Sequence, residues 1–166
     1  MPPIDDMRAA VLTISTSKAR GEGQDESGPK LAELARGMGA EIAGVELLPD
    51  DRELTEERLR HWADSEGCEL ILTTGGTGFA PSDVTPEATR AVIQRLAPGI
   101  SEAIRVASRE HSRHWMLSRA VAGIRGRTLI INFPGNPASI EQAGPAIAAS
   151  VPHAIELLVG DRSSHA

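Results

Sequence analysis

The sequence predicts an α/β fold of three layers, α/β/α, with a mostly parallel sheet and an antiparallel hairpin at its edge. Three observations predict it. Short aliphatic and β-branched runs alternate with segments of helical periodicity, the pattern of parallel strands joined by crossover helices. The runs stop at loops containing glycine or proline, as buried strands do where they leave a sheet. Only at Arg125-Gly126-Arg127 does a tight turn join two consecutive strands, which attaches an antiparallel pair.

The elements follow in order. Residues 1–7, with prolines and acids before any apolar pattern, are expected to form a flexible lead. Ala9 to Ile14 reads as a first buried strand ending in Ser15-Thr16-Ser17, and polar Lys18 to Gly28 as the loop at its carboxyl edge. From Pro29, Leu31, Leu34, Ala35 and Met38 have helical spacing, closed by Gly37 and Gly39. Glu41 to Leu48 alternates as a second strand, terminated by Pro49-Asp50-Asp51, and Thr55 starts a helix that ends near Gly67. Glu69 to Thr74 is a third strand. Thr85 to Leu96 is the next helix, with the Thr85 hydroxyl as cap, Pro86 in the first turn and Glu87 at the positive end. Ile100 to Glu110 is helical. Ala120 to Ile124 and Thr128 to Phe133 make the hairpin, and Asn136 caps a helix that Pro137 opens. Pro152 divides the last helical region, Val151 to Leu158 is its final amphipathic piece, and residues 161–166 are expected to be flexible.

At 166 residues the chain is read as one domain, 1–166, able to bury roughly 70% of its unfolded surface. The single cysteine, Cys68, excludes a disulfide framework and a multi-cysteine metal knuckle, and makes the cytoplasm the expected compartment. No apolar run is long enough for a membrane span. A net charge of -6 argues against nucleic-acid binding, so any phosphate is held locally by loops and helix ends. The most basic stretch holds Arg105, Arg109, Arg113, Arg119, His111 and His114, and reads either as an anion or partner contact or as a solvated helix face.

The candidate chemistry lies in loops at strand ends. Gly75-Gly76-Thr77-Gly78 lets the backbone approach a bulky group and point several N–H groups one way, which suits an anion, although a bare glycine turn has the same composition. Asp83 stands between this loop and a helix start, and Asp50 ends the second strand. Carboxylates beside phosphates hold a divalent cation or orient a nucleophile. Ser15 to Gly28, Pro49 to Asp51, Gly75 to Asp83 and Pro134 to Asn136 all fall at carboxyl ends of strands, where open α/β sheets bind ligands. Other motifs fail. Gly23 to Gly28 is followed by Pro29 where a P-loop needs lysine, the glycine loop is not GxGxxG, and no nucleophile elbow is present.

Thr73 to Gly78, Asp83-Val84-Thr85-Pro86-Glu87-Ala88-Thr89 and Phe133-Pro134-Gly135-Asn136-Pro137 together resemble the MogA/MoaB family of molybdopterin adenylyltransferases. The resemblance runs from about Val11 to Gly160. It implies that the terminal phosphate of molybdopterin attacks the α-phosphate of ATP with Mg2+, giving adenylyl-molybdopterin and pyrophosphate. Asp50 and Asp83 are then the functional carboxylates, on the metal or on the attacking phosphate. Gly75, Gly76, Thr77 and Gly78 hold nucleotide or phosphate, Ser82 joins the binding site, and Ser15, Pro134, Gly135 and Asn136 line the pterin pocket. Homotrimers or hexamers, and other molybdenum cofactor biosynthesis proteins as partners, are implied as well. Ser82 stands beside Asp83 where the family often has arginine, and Thr16 where it often has aspartate. The missing cation implies weaker ATP binding, and leaves a molybdopterin carrier or a scaffold as alternatives.

Overall fold

The computed structural model describes residues 7–160. Its strands are β1 (Arg8–Ile14), β2 (Glu41–Leu48), β3 (Leu70–Thr74), β4 (Arg95–Leu96), β5 (Ala122–Arg125) and β6 (Thr128–Phe133). Its α-helices are α1 (Thr16–Ala19), α2 (Ser27–Gly37), α3 (Arg52–Arg60), α4 (Thr85–Val92), α5 (Pro98–Ser108), α6 (Pro137–Ile147) and α7 (Ser150–Val159). A π-turn, His61–Ser65, extends α3, and a 3-10 turn, Trp115–Leu117, follows α5.

The strands form one sheet ordered β2-β1-β3-β6-β5-β4. The first four are parallel neighbours, and β5 and β4 add antiparallel pairs at one edge. Period-two alternation feeds two cores. Ala9, Val11, Leu70, Leu72, Leu129 and Ile131 face the layer of α2, α5, α6 and α7, while Ala10, Leu12, Ile71 and Ile130 face α3 and α4. Both faces of the central strands are covered, which is why they read as near-continuous apolar runs. Among the described residues no helix is long and apolar enough to cross a membrane.

Several boundaries differ from the sequence expectation for local reasons. Met7, assigned to the flexible lead, is only 2% exposed, and its carbonyl accepts from Glu41 N; residues 1–6 and 161–166 lie outside the described residues. Helix α2 begins at Ser27 because Asp25 Oδ1 accepts from the N–H groups of Ser27 and Gly28. Helix α3 begins at Arg52 because Asp51 Oδ1 takes Leu54 N. Helix α4 stops at Val92, where the open edge of β5 captures the chain: Gln94 N bonds Ile124 O, and Ala97 N bonds Ala122 O. The final helical region divides at Ala148 and Ala149, so Pro152 sits in the first turn of α7 and Pro145 inside α6. Thr85 is not the cap of α4. That position is Val84, and the Thr85 hydroxyl has no hydrogen-bond partner.

One buried amide braces this edge. Asn132 Nδ2 donates to the hydroxyls of Thr73 at 2.9 Å and Thr89 at 3.0 Å, and its Oδ1 accepts from Val121 N at 3.1 Å. It ties β6 to β3, α4 and the entry of β5, and buried polar groups of this kind are costly to orphan. Asn132→Leu, which strips the Val121 N–H of its acceptor, is expected to cost about 3 kcal/mol in urea unfolding. The Cys68 thiol is buried, and desolvation pushes its pKa up to about 11. A rise in the folded state keeps the thiol protonated at pH 8, so a disulfide reagent is expected to label Cys68 only after unfolding.

Candidate functional site

The site begins where three parallel strands end against one another. Gly75 follows β3 with φ +98°, and its N–H bonds Phe133 O at the end of β6, 3.1 Å away. A Cβ here would collide with the Ile14 carbonyl at the end of β1. On the other side, a Cβ on Gly135 would stand 3.2 Å from Gly75 Cα. Thr74 Oγ1 donates to Pro134 O at 2.8 Å and Ser27 Oγ to Gly135 O at 2.9 Å, which fixes the β6 exit. Asn136 then caps α6, its Oδ1 accepting from Ala138 N.

Asp50 is held from the neighbouring strand end. Thr16 donates to Asp50 Oδ2 through its N–H at 3.0 Å and its hydroxyl at 2.9 Å, and that hydroxyl accepts from Asp50 N at 2.9 Å. The carboxylate cannot turn, so Oδ1 is directed inward, buried and without a hydrogen-bond partner. It would lie 3.0 Å from a Cβ on Gly76, and the unpartnered hydroxyl of Thr85 would collide with the same Cβ. Two unsatisfied oxygens therefore face one glycine.

The loop from Gly75 to Val84 carries Asp83. Its Oδ2 accepts from Ala80 N at 3.0 Å, and Asp83 N bonds Ala80 O at 2.9 Å. The Gly75 N–H is spent on Phe133, whereas those of Gly76, Thr77 and Gly78 make no hydrogen bond among the described residues. Ser82, expected in the binding site, is exposed near the loop tip.

Two cavities adjoin this loop. One, of about 230 Å³, is lined by Thr13, Ser15, Lys18, Asp50 and Gly75, among others. The other, of about 480 Å³, is walled by Thr77 and Gly78, by His111, His114, Trp115 and Leu117 after α5, and by Pro134 and Asn136. Gly76, Asp83 and Gly135 line both. The structure thus separates Ser15 from Pro134 and Asn136, which the sequence reading had grouped, and Ser82 lines neither cavity. The larger volume suits a ring-bearing small molecule.

A family described as the probable molybdopterin binding domain matches residues 10–153. The chain belongs to this family. The chain is 37% identical over 153 residues to a molybdopterin adenylyltransferase of Helicobacter pylori, covering 91% of this chain and 87% of that one. It is 38% identical over 171 residues to the molybdenum cofactor synthesis protein cinnamon of Drosophila melanogaster, covering 98% of this chain but spanning only 28% of the longer protein. The crystal structure of the molybdopterin biosynthesis enzyme MoaB from Thermus thermophilus superposes with a TM-score of 0.87 at 44% identity, covering 93% of this chain and 98% of that one.

Within this molybdopterin-binding domain, the fit of a divalent cation is decided by oxygen donors. No group of three or more His, Cys, Asp or Glu among the described residues is placed to hold a metal alone. Mg2+ needs none, because it keeps waters and takes one or two carboxylates with substrate phosphates. The buried, unpartnered Asp50 Oδ1, beside a second unpartnered oxygen, fits that requirement.

Three contributors escaped the sequence reading. Lys18 brings a cation to the smaller cavity, with Nζ 2.9 Å from Gln24 O; its place one helical turn past Ser15 was the available signal. Within the basic stretch, the apolar Trp115 and Leu117 wall of the larger cavity carries no motif. Thr85 was read as a cap. Thr85→Val is therefore expected to leave unfolding free energy within about 0.5 kcal/mol of wild type, where loss of a true cap costs about 1 kcal/mol.

Proposed function

We propose that this protein adenylylates molybdopterin with Mg-ATP. The observation that carries the reading is the shared boundary: Gly76, Asp83 and Gly135 belong to two adjoining cavities, so two substrates held there would meet across the glycine loop and Asp83. Relatives named molybdopterin adenylyltransferase support the same chemistry.

In this reading a terminal phosphate oxygen of molybdopterin attacks the α-phosphorus of ATP. A new P–O bond forms, the bond from the α-phosphorus to the bridging oxygen breaks, and pyrophosphate leaves with that oxygen. Such transfers depend on positioning and on neutralising charge. The N–H groups of Gly76, Thr77 and Gly78 take phosphate oxygens, and Lys18 adds positive charge. Trp115 and Leu117 give a ring system an apolar wall. Asp83 orients the attacking phosphate. Asp50 and Asp83 hold Mg2+, which when bound neutralises phosphate charge. Lys18 offsets the absence of arginine at position 82, and Thr16 fixes Asp50 through a hydroxyl where the family often has a second carboxylate.

The proposal extends to a homotrimer or hexamer in the cytoplasm, working with other molybdenum cofactor biosynthesis proteins. Exposed Val45 and Leu47 on edge strand β2 support self-association.

The test is turnover of purified protein with molybdopterin and Mg-ATP, followed as pyrophosphate release and as adenylyl-pterin by mass spectrometry. Asp83→Asn keeps an oxygen acceptor for Ala80 N and is expected to lower kcat by about 100-fold with an unchanged melting temperature. A wild type that binds molybdopterin tightly but forms no product would reduce the protein to a carrier.

A further inference from the structure

We propose that Arg119 is a positioning residue that fixes the Gly76–Asp83 loop in its ligand-binding shape from outside the two cavities. The inference rests on the adenylyl-transfer reading for its kinetic consequence, but its structural content is independent of it.

Arg119 N donates to Thr77 O at 2.8 Å. Its side chain donates through Nε to Gly78 O at 2.8 Å and through one terminal nitrogen to Asp83 O at 2.9 Å. The other terminal nitrogen reaches Glu87 Oε1 at 2.7 Å and Oε2 at 3.2 Å, in the first turn of α4. One residue therefore fastens both ends of the loop to the helix that follows it.

These carbonyls decide where the neighbouring amides point. In a trans peptide the N–H of the next residue is directed away from the C=O of the one before. Pulling Thr77 O toward Arg119 turns Gly78 N–H the other way, and the bond from Thr85 N to Gly76 O does the same for Thr77 N–H. Both are amides without an internal partner. Arg119 itself lines neither cavity; it borders a surface depression with Pro86, Glu87, Arg90, Arg105, Ser118 and Ala120. It acts through the loop rather than on a ligand.

The loop needs such a fastening. Three glycines in four residues give it many alternative conformations, and among the described residues its other ties are the Ala80–Asp83 pair and the bond from Thr85 N to Gly76 O. A planar guanidinium can bond three differently directed acceptors at once, whereas a lysine ammonium on its flexible stem cannot reproduce that fork. The competing account is a plain surface ion pair, since Arg119 and Glu87 side chains are each 36% exposed and such pairs contribute little.

Glu87→Gln, Arg119→Lys and Arg119→Ala separate the two accounts. Glu87→Gln removes the ion pair and leaves the carbonyl bonds; Arg119→Lys keeps the charge and loses the fork. Amide hydrogen exchange over 76–84 and turnover are measured on the same samples. Arg119→Lys is expected to speed exchange of the loop by about tenfold, with β1, β3 and β6 unchanged. Its kcat is expected to fall by about 100-fold, as for a misplaced reacting group. Glu87→Gln is expected to match wild type in both readouts, and free guanidinium to restore part of the Arg119→Ala rate. Unchanged loop exchange in Arg119→Lys, or equal loosening by Glu87→Gln, would overturn the proposal. A wild type without turnover would instead remove the adenylyl-transfer reading, and loop exchange alone would then decide the role of Arg119.

Discussion

Backbone against backbone at Gly75 is the contact on which the site depends. The exits of β1, β3 and β6 can stand this close only because neither Gly75 nor Gly135 carries a side chain, and the Ile14 carbonyl fills the place a Cβ would take. The φ of +98° at Gly75 then turns the chain away from the sheet. From this junction the loops diverge to form the rims of two adjoining cavities. Thr16 and Asp50 extend the junction to β2 through their reciprocal hydrogen bonds.

The polar groups around this junction divide by whether they are spent. Asn132, Asp25 and Arg119 satisfy their bonding capacity inside the protein and hold elements together. Among the described residues, Asp50 Oδ1, the Thr85 hydroxyl and the N–H groups of residues 76–78 have no internal partner, and the two oxygens both face Gly76. Orphaning a buried polar atom is costly. Two such oxygens against one glycine are a feature that a bare glycine turn does not require and that the sequence did not reveal.

The parallel core was legible because its strands are apolar on both faces and end at recognisable breakers; β2 and β6 begin and end where the pattern places them. The failures share a cause. Residues 94–96 continue a helical pattern, yet the unpaired edge of β5 offers hydrogen bonds that outweigh local propensity. Thr85 has the composition of a cap, but its orientation is set by the contact with Gly76. Two arginines of the basic stretch that read as a solvated face or an anion contact are used internally: Arg105 bonds the carbonyls of Ser118 and Ala120, and Arg119 those of the glycine loop. Spacing along the chain marks which residues reach the carboxyl edge; it does not tell which of them are left unpaired there.

The proposed chemistry draws on that unpaired set together with Asp83: free amides for phosphate, the carboxylates of Asp50 and Asp83 for a hard cation, and Asp83 at the boundary of two cavities. The most direct test is a crystal structure with molybdopterin, Mg2+ and an ATP analogue whose α–β bridge resists cleavage. Phosphate oxygens are expected on the N–H groups of Gly76, Thr77 and Gly78, with the metal on Asp50 Oδ1 and the pterin phosphate beside Asp83. A nucleotide bound away from the glycine loop, or a metal bound without Asp50, would contradict this chemistry.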